Sequence, residues 1–110
     1  MPSEHRRTPR ISVDLPARYR SEQISLDGRA GDISQDGMFF MSDFLDDANG
    51  EVNVELDLPD SDVPLRLAGE VRWVNDAPLH AGMGIRFVNV TVPERLRLAN
   101  FVIHRTYRSL

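Results

Sequence analysis

Hydrophobic and polar positions alternate with a period of two over most of the chain. Such alternation puts every second side chain on one face and is typical of a half-buried β-strand. It predicts six strands, whose apolar positions fall within residues 11–19, 24–33, 38–41, 52–58, 65–73 and 83–87. Turn sequences separate them, and Asn49-Gly50 is the clearest. This number of short strands favours a small all-β barrel or sandwich.

Two positions interrupt the alternation. Pro16 lies inside the first strand and has no N–H to donate to a sheet, so it predicts a sheet edge or a bulge at that point. In the second strand, Asp27-Gly28 is a turn sequence that either breaks or turns the strand before the chain continues to Ile33.

The period changes to 3.6 near the C-terminus. The spacing of apolar residues there predicts one face of an amphipathic helix over about residues 92–108, formed by Leu96, Ala99, Val102, Ile103 and Tyr107. Thr91 and Glu94 have the spacing of a capping box at its start. We expect this helix to cover an open end of the barrel or to pack on its outside.

Composition excludes several classes of protein. The chain has 110 residues, enough for one domain with a core, and it contains no cysteine. No apolar run is long enough to span a bilayer, and no apolar segment follows the charges of the first ten residues, so we expect a cytoplasmic protein without membrane insertion. The three histidines are far apart, which argues against a metal site. Ser34 lacks a nucleophile elbow, and no other constellation suggests an enzyme.

Charge is distributed unevenly along the chain. The net charge is −4, but residues 1–20 carry five arginines against two acids, whereas residues 21–91 carry four arginines against fourteen acids. The acidic middle argues against a nucleic-acid-binding face, including the aromatic and basic face of a single-strand-binding barrel. A small anionic ligand held by the N-terminal arginines is compatible with this distribution.

Two further groups have a structural interpretation. Trp73 and Phe87 are predicted to fill the barrel core, with the alternative that Trp73 lines a ligand surface. Asp43, Asp46 and Asp47 form an acidic loop whose spacing does not match a calcium-binding loop, and it is predicted to be a solvated turn.

Two local motifs carry the functional signal. Arg6 and Arg10 form an R-x-x-x-R pattern before the first strand, and Asp32, Ser34 and Gly37 form a D-x-S-x-x-G pattern between strands. In this order and on this strand pattern, the chain resembles the PilZ domain family, bacterial receptors for cyclic di-GMP. Three other stretches are similar to the family: residues 38–40, 69–73 and 82–87.

The resemblance implies a fold and a ligand. It implies a six-stranded antiparallel β-barrel with a C-terminal α-helix, here residues 11–110, preceded by a flexible arginine-bearing segment, residues 1–10. It also implies that Arg6 and Arg10 wrap cyclic di-GMP, with Arg7 as a weaker helper. Asp32, Ser34 and Gly37 would hold a guanine against the barrel wall.

Elementary chemistry agrees with these roles. One edge of guanine presents two acceptors that match an arginine fork, and the other presents N–H donors suited to the carboxylate of Asp32 and the hydroxyl of Ser34. Arginine also binds phosphate bidentately and stacks on bases. Gly37 permits a positive φ or a close approach of the ligand.

The resemblance leaves two functions open. The first is a receptor that orders its N-terminal segment on ligand binding and signals to a protein of motility or surface-polysaccharide control. The second is a docking module that ignores the nucleotide and uses residues 38–41 or the C-terminal helix as its contact. No cofactor is expected beyond the ligand, and we expect a monomer or weak dimer.

Overall fold

Six antiparallel strands close into a barrel in the computed structural model, which describes residues 10–46 and 50–107. The elements are β1 (Ile11–Arg20), β2 (Ser25–Ile33), β3 (Gly37–Met41), β4 (Glu51–Leu56), β5 (Leu65–Asn75), β6 (Gly82–Val88) and α1 (Val92–Tyr107). Around the barrel the order is β1-β2-β3-β6-β5-β4. The predicted six-stranded antiparallel barrel with a C-terminal helix is therefore confirmed, while residues 1–9 of the N-terminal segment lie outside the described residues.

The alternating apolar residues of the strands form one core. Their side chains point into the barrel, where each buried methylene group contributes about 0.8 kcal/mol to stability. The fully buried strand residues include Tyr19, Ile33, Phe40, Val52, Val54, Leu56 and Met83. Phe87, as predicted, also lies in this core.

The helix covers one end of the barrel. At this end, which we call the lower end, β1, β3 and β5 begin and β2, β4 and β6 finish. α1 contacts β1 and β5, and Leu98, Phe101 and Val102 join the core. Leu96 and Ile103 are exposed, so the predicted helix face was wrong at these positions. The helix carries two apolar stripes, and the periodicity did not distinguish which one enters the core.

Local contacts explain the start of the helix and the position of Pro16. Thr91 and Glu94 form the predicted capping box, in which each residue's amide N–H donates to the other's side chain. The ladder between β1 and β4 runs from Ala17 to Arg20, so Pro16 lies just beyond its end and no ladder bond requires its missing N–H.

Asp27 and Gly28 remain inside β2 and do not break it. They lie opposite Arg18 and Ala17 in the ladder with β1. A Cβ atom at Gly28 would collide with the Phe40 ring and the Met41 carbonyl. The glycine is therefore explained by the close approach of β3, and the predicted break was wrong.

The opposite, upper end contains a buried carboxylate. The Tyr19 hydroxyl donates a hydrogen bond to Asp46 Oδ2 at 2.7 Å, and both residues are buried. Burial and this hydrogen bond raise the pKa of Tyr19 above its ordinary value. The prediction of a solvated acidic turn was thus wrong at Asp46, which ties the loop after β3 to the barrel, while Asp47 lies outside the described residues.

No helix in the described part of the chain is long and apolar enough to cross a bilayer. Among the same residues, no three side chains of His, Cys, Asp or Glu come together in a way that could hold a metal ion.

Candidate ligand-binding site

The D-x-S-x-x-G motif forms the turn between β2 and β3 at the lower end. The Ser34 amide donates to the Gly37 carbonyl at 2.9 Å, and Ser34 Oγ accepts the Asp36 amide at 3.1 Å. The Phe87 amide of β6 donates to the Asp36 carbonyl at 2.8 Å. Ser34 is only 3% exposed. These bonds hold the turn rigidly against β6, and the Ser34 hydroxyl has its own hydrogen left to donate.

Arg10 and Asp32 lie side by side at the rim of this turn. Arg10 directly precedes β1, and Asp32 lies near the end of β2 opposite Ser12. Arg10 Nη1 donates to Asp32 Oδ1 at 3.4 Å, and both side chains are partly exposed. The long distance and the exposure describe a loose pair whose polar atoms remain accessible to a ligand.

Gly37 is required by strand packing. Positive φ among the described residues occurs at Asn89 and Gly50, so the first of the two reasons considered for Gly37, a positive φ, does not apply. A Cβ atom at Gly37 would collide with the carbonyl oxygen of Ile85 in β6. The glycine therefore permits close approach of two strands, a reason that the motif alone does not reveal.

Trp73 lies on the outer wall of the barrel and not in the core. Its side chain is 49% exposed and stacks on Phe39 with ring centroids 5.3 Å apart. The indole covers Gly84, where a Cβ atom would collide with it. A bulge in β5 between Val71 and Trp73 shifts the register and turns the tryptophan outward. The predicted core position was wrong, and the geometry agrees with the alternative of a surface-lining aromatic residue.

A shallow cavity of 160 Å³ lies between this aromatic pair and the turn. It is lined by Arg10, Asp36, Gly37, Arg72, Trp73 and Arg86, among others. Arg72 has one weak ion pair with Glu70 at 3.5 Å. Three guanidinium groups and an exposed indole face the same space, an arrangement that suits an anion carrying a flat base.

The structure brings together most of the described motif residues. Arg10 and Gly37 line the cavity, and Asp32 touches Arg10, whereas Ser34 is buried within the turn. Arg6 and Arg7 lie outside the described residues.

Sequence reasoning did not identify Arg72 and Arg86 as site residues. Arg86 stands between the buried residues Ile85 and Phe87 in β6. Its position in the alternating pattern therefore indicated an outward-facing guanidinium, and this was the available signal.

Comparison with known proteins identifies the family. A model of the PilZ domain matches residues 4–104, nearly the whole chain. The chain belongs to the PilZ family. Comparison with curated proteins finds no match.

Several solved structures, two of them described as PilZ domains, are similar in fold at low sequence identity. MotI/DgrA, an inhibitor of motility from Bacillus subtilis, has a TM-score of 0.80 at 16% identity over 96% of this chain, which spans 53% of that one. The PilZ domain of YcgR from Escherichia coli with c-di-GMP has a TM-score of 0.70 at 15% identity over 96% of this chain and 95% of that one. The PilZ domain of CeSA from a cellulose-synthesizing bacterium has a TM-score of 0.66 at 16% identity, covering 90% and 99%. This PilZ domain is thus about half as long as the MotI chain.

Proposed function

We propose that this PilZ domain is a cyclic di-GMP receptor that binds the nucleotide at the lower end without chemically changing it. The observation that carries the proposal is the loose pair of Arg10 and Asp32 beside an open cavity that contains Trp73. Family membership supports the same ligand, since the PilZ domain of YcgR is described with c-di-GMP.

Each proposed contact follows from the chemistry of the ligand. Asp32 accepts the N–H donors of one guanine, with Ser34 and the glycine turn at Gly37 shaping the wall behind it. Arg6 and Arg10 bind phosphate or the acceptor edge of guanine, and Arg7 assists them. Trp73 offers its exposed face for stacking on a base, which is typically worth about 1–3 kcal/mol per base.

Signalling is proposed to pass through the N-terminal segment. Contacts from Arg6 and Arg10 to the ligand hold residues 1–10 against the barrel and create a surface that a partner protein reads. We propose a cytoplasmic partner in the control of motility or surface polysaccharide, and a monomer or weak dimer as the receptor. The similarity in fold to MotI, an inhibitor of motility, supports a role in motility control.

Calorimetric titration with cyclic di-GMP tests the proposal, with GTP and cyclic GMP as control nucleotides. We expect saturable binding that Arg10→Ala abolishes. Arg20→Ala is the matched control, since this exposed arginine lies at the other end of the same strand and should leave affinity unchanged. Absence of binding by the folded wild-type protein contradicts the proposal.

A nucleotide-independent docking module is the second candidate. The exposed apolar residues Val92, Leu96 and Ile103 on α1 favour it. The strand of residues 38–41 is a poorer contact, because Met38 and Phe40 are buried. If a partner binds equally well with and without cyclic di-GMP, and Leu96→Asp abolishes that binding while Arg10→Ala does not, the docking function is the correct one.

A further inference from the structure

A second cavity adjoins the first on the other side of the β2–β3 turn. It has a volume of 440 Å³ and lies between this turn, the end of β6 and the beginning of α1. Its polar lining consists of Gln35, Asp36, Arg86, Asn89 and Arg95. Asp36 and Arg86 line both cavities, so the two form a continuous surface that crosses the turn.

Two guanidinium groups in this cavity have no partner among the residues that the structure describes. Arg86 and Arg95 are both exposed, and neither forms a hydrogen bond or ion pair with another residue in the described ranges 10–46 and 50–107. Arg95 is the fourth residue of α1, where the helix dipole disfavours a cation. Like charges facing one space also repel each other. An anion in the cavity offsets both effects, because the guanidinium groups and the N-terminal end of the helix all attract it.

The volumes of the two cavities give an independent reason to treat them as parts of one binding site. Small-molecule sites usually measure about 300–1,000 Å³. The cavity beside Trp73, at 160 Å³, is below this range. Cyclic di-GMP contains two guanines and two phosphates, so we expect the ligand to extend beyond this cavity. The 440 Å³ cavity is the adjacent space, and Arg86 is common to both.

We infer that the second guanine-phosphate unit of the dinucleotide occupies the cavity next to α1, an assignment that rests on the proposed function. Arg95 and Arg86 bind its phosphate, a group that arginine forks contact bidentately. The side-chain amides of Gln35 and Asn89 each offer a donor and an acceptor to the guanine edge. Arg95 is thereby a ligand-contacting residue outside both sequence motifs, and it makes α1 part of the binding site.

Titration of Arg95→Gln with cyclic di-GMP tests this assignment. A lost charge-assisted bond weakens binding about tenfold to a hundredfold. Arg105→Gln is the control, since it removes the same charge from the same helix, but its guanidinium lies over the Phe101 ring, outside the cavity. Thermal unfolding of both variants verifies that each is folded.

The possible outcomes separate this inference from the proposed function. Selective weakening by Arg95→Gln supports it. If wild-type protein binds and Arg95→Gln binds equally well, or if both variants weaken binding equally, the subsite is wrong while the receptor function stands. If the wild-type protein does not bind, both fail.

Nuclear magnetic resonance gives a direct readout on the wild-type protein. We expect the Nε–H resonance of Arg95 and the side-chain amide resonances of Gln35 and Asn89 to shift on ligand addition. The Nε–H resonance of Arg97, whose guanidinium bonds the carbonyls of Val63 and Pro64, is the internal control and should not move. Unchanged Arg95 and Asn89 signals at saturation overturn the assignment.

Discussion

Arginines are used differently on two sides of the barrel. On the wall formed by β1, β4 and β5, Arg18 Nε donates to Glu55 at 2.8 Å and Arg18 Nη2 donates to Asp57 at 2.7 Å. Arg66 Nε approaches the other oxygen of Glu55 at 2.7 Å. These short contacts form a network across three neighbouring strands. We call this side the paired wall.

On the side formed by β3, β5 and β6, together with the lower ends of β1 and β2 at Arg10 and Asp32 and the beginning of α1, the arginines are loosely held. Arg10 and Arg72 have contacts of 3.4 Å and 3.5 Å, respectively. Arg86 and Arg95 have no ion pair among the described residues. We call this side the open wall.

The comparison shows that cavity size alone does not locate the site. The paired wall has a cavity of 470 Å³, larger than either cavity on the open wall. Arg18 and Arg66, two of the three arginines that line it, already bind carboxylates, so a ligand would have to replace bonds that the protein makes itself. On the open wall the guanidinium groups are available, and an anionic ligand adds bonds without breaking short ones.

Substitution of one carboxylate on each wall should give the largest difference in ligand affinity between the two walls. Asp32→Ala removes the acceptor proposed for guanine, and we expect affinity for cyclic di-GMP to fall about a hundredfold. Asp57→Ala removes a carboxylate from the paired wall and should leave affinity within about twofold of wild type while lowering stability. Calorimetry measures both. Equal affinities in the two variants contradict the assignment of the open wall.

Substitution of Trp73, the chain's single tryptophan, should give the next largest loss of ligand affinity. Because Trp73 is half exposed on the open wall, Trp73→Ala should reduce affinity roughly tenfold through lost stacking, with little loss of stability. The intrinsic fluorescence of wild-type protein should change on ligand addition. Phe44→Ala is the control, since this side chain is 67% exposed and does not line the cavity. A full-affinity Trp73→Ala variant excludes stacking on the indole.

The barrel was predictable because alternation and turns act locally and repeat in every strand. The site was only partly predictable. Arg10 and Asp32 carry a motif, but Trp73 was misplaced because a bulge in β5 reverses the face that the alternation assigns. Asp46 was misplaced because its partner, Tyr19, lies 27 residues away. Arg95 belongs to no motif, and only the packing of α1 beside the β2–β3 turn brings it to the cavity.

Stability should respond oppositely on the two walls. Arg18→Gln breaks the contacts with Glu55 and Asp57 and should lower the free energy of unfolding by about 1 kcal/mol, a value typical of partly exposed ion pairs in a network. Arg86→Gln removes a cation that has no ion pair within the described part of the chain, and it should leave the free energy of unfolding unchanged or slightly raised. Urea unfolding at neutral pH measures both variants. A comparable loss in Arg86→Gln means that the open wall is also held by ion pairs.

The pH dependence of the free energy of unfolding should give the smallest and most specific difference between the two walls. Hydrogen bonds from Arg18 hold the pKa of Asp57 and that of Glu55 below their ordinary values of about 4. A lowered pKa in the folded state gives stability that is present above the ordinary pKa and is lost as the pH falls through the lowered one. We therefore expect the stability difference between wild type and Arg18→Gln to shrink as the pH falls below about 4.

Arg86→Gln is the control for this prediction. Its stability should depend on pH in the same way as that of wild type, because it removes none of these contacts. Urea unfolding from pH 7 to pH 2 measures the free energy of unfolding of all three proteins. If wild type remains more stable than Arg18→Gln by the same amount at the lowest pH, these carboxylates do not stabilise the paired wall.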